Sequence, residues 1–407
     1  MKILFVIRNL GAGGAEKSLV SFFNLLNENY LKQNDIQIDL LMTSNDDFFC
    51  DQIPGYINVI KCPKPYAAYC NDFKHALEHN NLTVTTLIRK IYSFLIKKIF
   101  LRKSNISAGE LQWKYVGKTI PKMHEKYDIA AAYCHDASAY YVIDKVEANK
   151  KIIWIHNDYE KLGFSDIFER KMYSKANLLV TISDKCADSL VKHFPEMKSK
   201  IKVIENISSA KLIHKMSEVS YPDIYRKMKK DTIKFISVGR LMYQKGYDIG
   251  IEAFKNVLKK QNNFHWFIVG AGELEESLKE QVAEANLNDY VTFLGLQKNP
   301  YMYVYNADIF FQPSRFEGKS IALDEAMVLG KPILATKYNT VEDSVENGKN
   351  GILCEFDFNA IADSIIELMN NSDLRNLLAA NQKINYNGNV EELNKYLEIL
   401  EMEGAAL

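Results

Sequence analysis

Two glutamates and a short basic loop stand close together in this 407-residue sequence. Glu317 precedes a predicted helix, Lys319 and Ser320 lie where that helix begins, and Glu325 lies about one and a half turns into it. Unpaired amides at the start of a helix can hold phosphate oxygens, and carboxylates accept hydrogen bonds from sugar hydroxyls. The combination indicates a site for a ligand that contains both a phosphate and a sugar, such as a nucleotide sugar.

A glycine-rich loop near the N-terminus is a second candidate phosphate site. Gly13 and Gly14 follow the first predicted strand and open a helix, so the backbone could approach an anion there. The dinucleotide fingerprint requires a glycine where Glu16 stands, which disfavours NAD binding, and Pro313 breaks a Walker A pattern before Gly318. The alternative interpretation is that the N-terminal loop is only a tight turn between a strand and a helix.

Short apolar runs alternate with helical patterns along the chain, which predicts βαβ units and mostly parallel sheets. The alternation pauses over the polar residues 207–230 and then resumes. We therefore expect an N-terminal Rossmann-like domain over 1–206, an interdomain linker over 207–230 and a second Rossmann-like domain over 231–385. Residues 386–407 form a C-terminal helix that would pack back on the first domain. Two such domains place ligands at the carboxyl ends of their strands.

The composition narrows the classes of function. Hydrophobic residues make up 47% of the chain, and 51 basic residues balance 51 acidic ones. A formal charge of zero provides no global attraction to nucleic acid, so we expect no nucleic-acid partner. The apolar run at the N-terminus is too short for a signal peptide, and no run approaches the roughly 20 apolar residues of a transmembrane helix. These features predict a cytoplasmic protein.

The glutamate pair has seven residues between its members and is followed by Ala-Met-x-x-Gly-x-Pro. This segment resembles the retaining GT-B glycosyltransferases of family 4. Arg240 after Gly239, and Lys245 before Gly246, resemble the Gly-Arg and Lys-Gly pair whose cations bind the donor diphosphate in that family. The resemblance implies an α/β protein of the GT-B fold, with two Rossmann-like doubly wound domains facing each other across a cleft.

The resemblance also implies roles for the residues around the glutamate pair. Glu317 would contact the transferred sugar as a catalytic residue, and Glu325 would hold the ribose hydroxyls. The amides near Lys319 and Ser320 would meet the donor diphosphate. Lys319 departs from the aromatic or small residue that many members of the family have at this position.

In the predicted N-terminal domain, Gly13 and Gly14 match the family's loop that closes over the donor phosphates. His156, at the end of a predicted strand, matches a histidine at the catalytic centre near the transferred sugar. Two fixed cations can stabilise a diphosphate leaving group as charge builds on it. We therefore expect no metal ion and no cofactor beyond the nucleoside diphosphate sugar itself.

The activity implied is a retaining transfer of a hexose or N-acetylhexosamine from a nucleoside diphosphate sugar, with UDP as the expected nucleotide. The acceptor would be a hydroxyl of a cell-surface polysaccharide or of a lipid-linked glycan. An alternative from another class is a catalytically silent subunit that binds a nucleotide sugar without turnover. Donor hydrolysis would distinguish the two.

Residues 87–103 contain six basic residues and no acidic one, with an imperfect apolar stripe at helical spacing. Such a helix could lie on an anionic membrane surface at the inner face of the membrane and so reach a lipid-linked acceptor. It could equally pack on its own domain with its lysine stems along apolar surface. Both interpretations remain open at this point.

A remote alternative is a zinc metallopeptidase. His75, Glu78 and His79 fit the His-x-x-Glu-His zinc pattern. The sequence shows no third ligand downstream, and Asn80 and Asn81 end the helical signal at once. The pattern is therefore weak as a metal site.

Overall fold

The computed structural model describes residues 1–11, 13–43, 48–70, 91, 108–317, 320–385 and 391–405. Two predicted features lie outside the described residues: the His75, Glu78 and His79 motif, and the basic segment 87–103 except for Ile91. Lys319 also lies outside them. The chain divides into two compact units, one formed by Met1–Ile207 with Glu391–Leu407 and the other by Ser208–Val390.

The first unit is built on a sheet of seven parallel strands in the order β3-β2-β1-β4-β5-β6-β7. Most of these strands are buried on both faces, which is why they read as continuous apolar runs. The strands are β1 (Lys2–Val6), β2 (Gln37–Leu41), β3 (Asn58–Ile60), β4 (Lys126–Ala132), β5 (Glu147–Ile155), β6 (Leu178–Thr181) and β7 (Ile201–Val203).

The second unit is built on a sheet of six parallel strands in the order β10-β9-β8-β11-β12-β13. In this sheet the direction in which successive strands are added reverses between β8 and β11, and in the first sheet it reverses between β1 and β4. The strands are β8 (Ile233–Val238), β9 (Phe264–Val269), β10 (Val291–Gly295), β11 (Ile309–Gln312), β12 (Ile333–Thr336) and β13 (Gly351–Cys354).

Helices connect the strands in both units. Among the described residues they are α1 (Gly14–Asn24), α2 (Glu28–Gln33), α3 (Lys64–Cys70), α4 (Ala108–Val116), α5 (Ala137–Lys145), α6 (Asp166–Tyr173), α7 (Asp184–His193), α8 (Ala210–Ser217), α9 (Asp223–Arg226), α10 (Tyr247–Leu258), α11 (Glu275–Glu284), α12 (Tyr301–Asn306), α13 (Ile321–Val328), α14 (Phe358–Asn370), α15 (Ser372–Asn385) and α16 (Glu391–Ile399). Short 3-10 turns lie at Cys50–Gln52, Gly117–Thr119, Tyr159–Lys161, Pro195–Lys200, Tyr243–Lys245 and Val341–Asp343.

The two parallel sheets, each with helices packed against it, confirm the predicted α/β class with two Rossmann-like doubly wound domains. Successive residues of a strand enter opposite core layers, so that Phe235 packs with α10 and α14 whereas Ile236 packs with α12 and α13. The short strand β7 was not predicted. It has only three residues, with Lys202 between one isoleucine and one valine, and these are too few to show a pattern.

Residues 207–230 differ from the predicted linker. They contain α8 and α9, which belong to the second unit. Ile213 and Tyr225 of these helices are buried in its core, and the Tyr225 ring lies 4.6 Å from the Phe267 ring. A few apolar residues at helical spacing are enough to fix a polar segment on a sheet, because only one face of a helix needs to be buried.

The C-terminal helix α16 is part of the first unit. Its Tyr396 is fully buried, with its hydroxyl 2.8 Å from that of Tyr133 and its ring stacked on Phe22. No helix in the described part of the chain is long and apolar enough to cross a membrane.

Candidate functional site

Two loops leave neighbouring strands of the second sheet at its reversal point. We call residues 239–246, after β8, the cation loop, and residues 313–317, after β11, the glutamate loop. Because β8 and β11 are paired in parallel, both loops emerge at the carboxyl edge of the sheet. Gly246 has a φ of +64°, and a Cβ there would collide with the carbonyl oxygen of Pro313. The two loops are therefore in direct contact through backbone atoms.

The Glu317 carboxylate is buried at this contact, with only 6% of its side chain exposed. It accepts hydrogen bonds from Lys245 Nζ at 2.5 Å, from Gln244 Nε2 at 3.0 Å and from Ser314 Oγ at 2.8 Å. Three donors therefore converge on the carboxylate and fix its orientation. Among the predicted site residues, Lys245 and Glu317 are brought into direct contact.

Lys245 lies along the edge of the cation loop rather than extending into solvent, with 18% of its side chain exposed. A Cβ on Gly239 would come within 3.1 Å of the Lys245 stem, so the glycine leaves room for the lysine. Arg240 lies in the same loop and is exposed. The loop thus offers a held ammonium and an accessible guanidinium, the two charges suited to a diphosphate.

Ser320 begins α13 as its N-cap. Its hydroxyl accepts from Leu323 N at 3.4 Å and donates to Gln312 Oε1 at 2.8 Å, and Gln312 in turn donates to the Tyr338 hydroxyl. The side chain is buried. A phosphate at this point would therefore meet the backbone amides of the helix start rather than the serine hydroxyl.

Glu325 lies inside α13 and is 6% exposed. Tyr301 of α12 donates its hydroxyl to Glu325 Oε1 at 2.8 Å. Burial, and then the nearby carboxylate, raise the pKa of Tyr301 well above its ordinary value, so the tyrosine remains a hydrogen-bond donor at every working pH. Tyr301 is a positioning partner that the sequence did not indicate.

In the first unit, Gly13 and Gly14 begin α1 at the carboxyl end of β1. Gly13 is the N-cap residue, and a Cβ on it would collide with the Glu16 carboxylate. That carboxylate therefore folds back over the start of the helix, where the helix dipole favours negative charge. Because the Glu16 carboxylate is the end of a flexible side chain, it could move away from a Cβ, and this contact alone does not require glycine at position 13.

His156 follows β5 in the first unit, next to β4. Its Nε2 atom lies 2.9 Å from the Tyr133 carbonyl oxygen, which can only accept, so Nε2 carries the proton and Nδ1 is an acceptor. Nδ1 is buried and has no hydrogen-bond partner within the described ranges. Burial, assisted by His135, lowers the pKa of His156 to about 4. The imidazole is neutral at physiological pH and presents a lone pair suited to a hydroxyl.

Several residues of the site were missed by the sequence analysis: Gln244, Ser314, Tyr301 and His135. Gln244 adjoins Lys245, and Ser314 stands three residues before Glu317, so proximity along the chain was the available signal. Tyr301 stands 24 residues from Glu325, and nothing in the sequence connects them. No group of three potential metal-ligating His, Cys, Asp or Glu side chains occurs in the part of the chain that the structure describes.

The chain is similar to known glycosyltransferases. Residues 225–384, which lie within the second unit, match the family model for glycosyl transferases group 1. An uncharacterized glycosyltransferase of Methanocaldococcus jannaschii is 30% identical over 220 residues, 52% of this chain and 52% of that protein. The amylovoran biosynthesis glycosyltransferase AmsK of Erwinia amylovora is 34% identical over 33% of this chain and 36% of its own length. The chain thus spans about half or less of the length of these curated relatives.

Solved structures resemble the chain over nearly all of its length. Anabaena Alr3699/HepE in complex with UDP-glucose has a TM-score of 0.65 at 18% identity, covering 98% of this chain and 99% of that one. WaaG, a glycosyltransferase involved in lipopolysaccharide biosynthesis, has a TM-score of 0.61 at 14% identity and covers 99% of this chain and 100% of its own. The likeness shows the fold, which is that of GT-B glycosyltransferases. Together with the family match, it supports a GT-B glycosyltransferase.

Proposed function

We propose that the protein is a retaining, metal-independent glycosyltransferase of family 4 that moves a hexose or N-acetylhexosamine from a UDP-sugar to a hydroxyl of a cell-surface polysaccharide or lipid-linked glycan. The observation that carries the proposal is the contact of Lys245 with Glu317 beside the exposed Arg240, at the carboxyl edge of the second sheet. This edge is where doubly wound sheets bind their ligands.

The chemical step separates charge, and the cation loop is suited to that change. The acceptor oxygen forms a bond to the anomeric carbon while the bond from that carbon to the diphosphate oxygen breaks. Negative charge then grows on the leaving UDP, where Lys245 and Arg240 stabilise it more in the transition state than in the bound donor. The held Lys245 and the accessible Arg240 would provide the neutralisation that a metal ion performs in other transferases, so the proposal requires no metal.

The role of Glu317 in the proposal is to hold Lys245 and to contact the transferred sugar. A carboxylate that accepts from three donors is a weak nucleophile, which supports a route in which the acceptor proton passes to the leaving phosphate on the same face. We assign Glu325 to the ribose hydroxyls, the helix-start amides near Lys319 and Ser320 to the diphosphate, and Gly13 and Gly14 to closure over it. The neutral His156 of the first unit is assigned to a hydroxyl of the transferred sugar.

The choice of donor and acceptor rests on the relatives. Alr3699/HepE is solved with UDP and with UDP-glucose, which supports a UDP-sugar. AmsK is an amylovoran biosynthesis glycosyltransferase by its name, and another relative, CapM of Staphylococcus aureus, is a capsular polysaccharide biosynthesis glycosyltransferase. For a lipid-linked acceptor, the basic segment 87–103 would place a cytoplasmic enzyme on the inner membrane face.

A donor screen tests the proposal. The full chain is incubated with UDP-glucose, UDP-galactose, UDP-N-acetylglucosamine and GDP-mannose, and release of nucleoside diphosphate is measured with and without acceptor glycans. A ligand at 100 times its dissociation constant should add about 2.7 kcal/mol to the stability of the fold. The anomeric configuration of the product, read by proton NMR, tests retention. Absence of both stabilisation and diphosphate release with every donor would contradict the proposal.

A further inference from the structure

Arg315 lies in the middle of the glutamate loop and contacts the cation loop on several sides. Its backbone N donates to the Gln244 carbonyl oxygen at 2.8 Å, and its Nη1 donates to the Tyr243 carbonyl oxygen at 2.8 Å. The guanidinium also forms a forked pair with Asp248 in the first turn of α10, at 2.7 Å from Nη1 and 2.5 Å from Nη2. One side chain thus binds the loop and the helix that follows it.

The guanidinium is also held from its faces. It lies 4.0 Å from the centre of the Tyr243 ring and 5.1 Å from that of Phe356. Only 16% of the Arg315 side chain is exposed, although Tyr243 is 63% exposed. Arginine suits this environment because its planar group can stack and bind two carboxylate oxygens at once, which a lysine cannot do.

Asp248 is the oppositely charged partner of Arg315. Burial raises the pKa of the Asp248 carboxyl, but the hydrogen bonds and charge of Arg315 outweigh it and hold the pKa below its ordinary value. The pair is therefore ionised at neutral pH, and each member restricts the other.

The segment held in this way is the one that reaches Glu317. Gln244 and Lys245, which both donate to the Glu317 carboxylate, directly follow Tyr243 and precede Gly246. The backbone bond from Arg315 to Gln244 and the packing of Gly246 on Pro313 fix the two ends of this short segment. A lysine side chain has about 2 kcal/mol of rotamer entropy, so its backbone and its carboxylate partner must both be fixed for its ammonium to be preorganised.

We propose that Arg315 is a positioning residue for catalysis: through its contacts with Asp248, Tyr243 and Gln244, it holds the cation loop so that Lys245 meets the donor diphosphate. This inference rests on the proposed function, since it assigns Lys245 to the diphosphate. Arg315 acts through Lys245 and is not itself assigned a contact with the substrate.

The test compares Arg315→Lys with the wild-type chain. We expect UDP affinity, measured by calorimetry, to fall about tenfold, with a larger loss in kcat than in KM for the UDP-sugar. Asp248→Asn, which removes the same fork from a half-exposed partner, should produce a smaller loss in the same direction. Arg375→Lys is the matched control, because Arg375 donates to backbone carbonyls at the end of α14, and this variant should leave UDP affinity unchanged. Thermal unfolding of each variant establishes that it is folded.

A double-mutant cycle separates positioning from general loss of structure. If Arg315 acts through Lys245, Arg315→Lys should have no further effect on UDP affinity in a Lys245→Ala background. Additive losses would overturn the inference, as would wild-type affinity and turnover in both Arg315→Lys and Asp248→Asn. Inorganic pyrophosphate serves as a probe that is independent of the nucleotide base. Failure of the wild-type chain to bind either UDP or pyrophosphate would overturn the proposed function, and the inference with it.

Discussion

The two units share a topology but differ at the carboxyl edges of their sheets. At the edge of the second unit there are two ion pairs: Lys245 with Glu317 between the two loops, and Arg315 of the glutamate loop with Asp248 at the start of α10. At the edge of the first unit, β4 and β5 end beside His135 and His156, whose Nδ1 atoms are buried without hydrogen-bond partners in the described structure. Burial lowers the pKa of both histidines. In the proposed function, the cations that meet the diphosphate lie at the second edge and the neutral histidine that meets a hydroxyl lies at the first, so a common fold does not determine the chemistry of its sites.

The largest effect is expected from Lys245→Ala, which removes the ammonium that the Glu317 carboxylate holds in the second unit. Turnover should fall about 100-fold to 1,000-fold, by analogy with the loss of one donor that stabilises a growing negative charge. Steady-state kinetics with the UDP-sugar found in the donor screen measures it. Lys255→Ala is the control, since Lys255 forms an exposed pair with Glu252 in α10. Wild-type turnover in Lys245→Ala would contradict the anion assignment of this edge.

A smaller loss is expected from His156→Ala in the first unit. Removing one hydrogen bond to a neutral hydroxyl should lower kcat about fivefold to tenfold. UDP affinity should stay unchanged, because the proposed function places the cations that bind the diphosphate in the other unit. Because its pKa is about 4, His156 stays neutral as pH falls from 8 to 5, and its titration should cause no loss of turnover in that range. If turnover of the wild-type chain fell as pH decreased through about 6.5, and this fall were absent in His156→Ala, the description of the first unit would be refuted.

Tyr301→Phe should show whether Glu325 of the second unit contributes to donor binding as well as to stability. The change leaves the buried Glu325 carboxylate without one of its donors, which should cost about 1–3 kcal/mol of stability and weaken UDP binding. Thermal unfolding and calorimetry measure the two effects. Tyr305→Phe in the same helix is the control, because Tyr305 is 41% exposed. Unchanged UDP affinity in a destabilised Tyr301→Phe would limit Glu325 to a structural role.

The smallest effect is expected on the stability of the first unit, from Glu169, which lies in helix α6. Burial raises the pKa of Glu169 to about 8, an effect that the hydrogen bond from Tyr140 opposes and nearby Glu110 strengthens. The folded state therefore binds a proton that the unfolded state releases at lower pH, and this contribution to stability is complete below the ordinary pKa near 4.5 and lost as pH rises through 8. Glu169→Gln should flatten the dependence of Tm on pH between 5 and 8. An identical slope in the variant and the wild type would show that Glu169 is not the group responsible.

Much of the second unit was predictable from sequence because its signals are local. Phe264–Val269 and Gly351–Cys354, for example, are short, mostly apolar runs flanked by polar residues or glycine, which is the pattern that predicts strands along this sequence. The contact between Lys245 and Glu317 agrees with two motifs placed at the exits of neighbouring strands. The first unit was less predictable, because its strand β7 has only three residues and shows no pattern.

Local patterns were enough to predict the doubly wound α/β class, the order of the units and the residue types at the strand ends, because apolar periodicity and glycine spacing act over a few residues. Which side chains pair with one another depends on the tertiary structure. Arg315 and Asp248 stand 67 residues apart, and Tyr133 and Tyr396 stand 263 apart. Pairing at such separations depends on which strands lie side by side. The sheet order that sets this is a property of the whole folded chain and of no local segment.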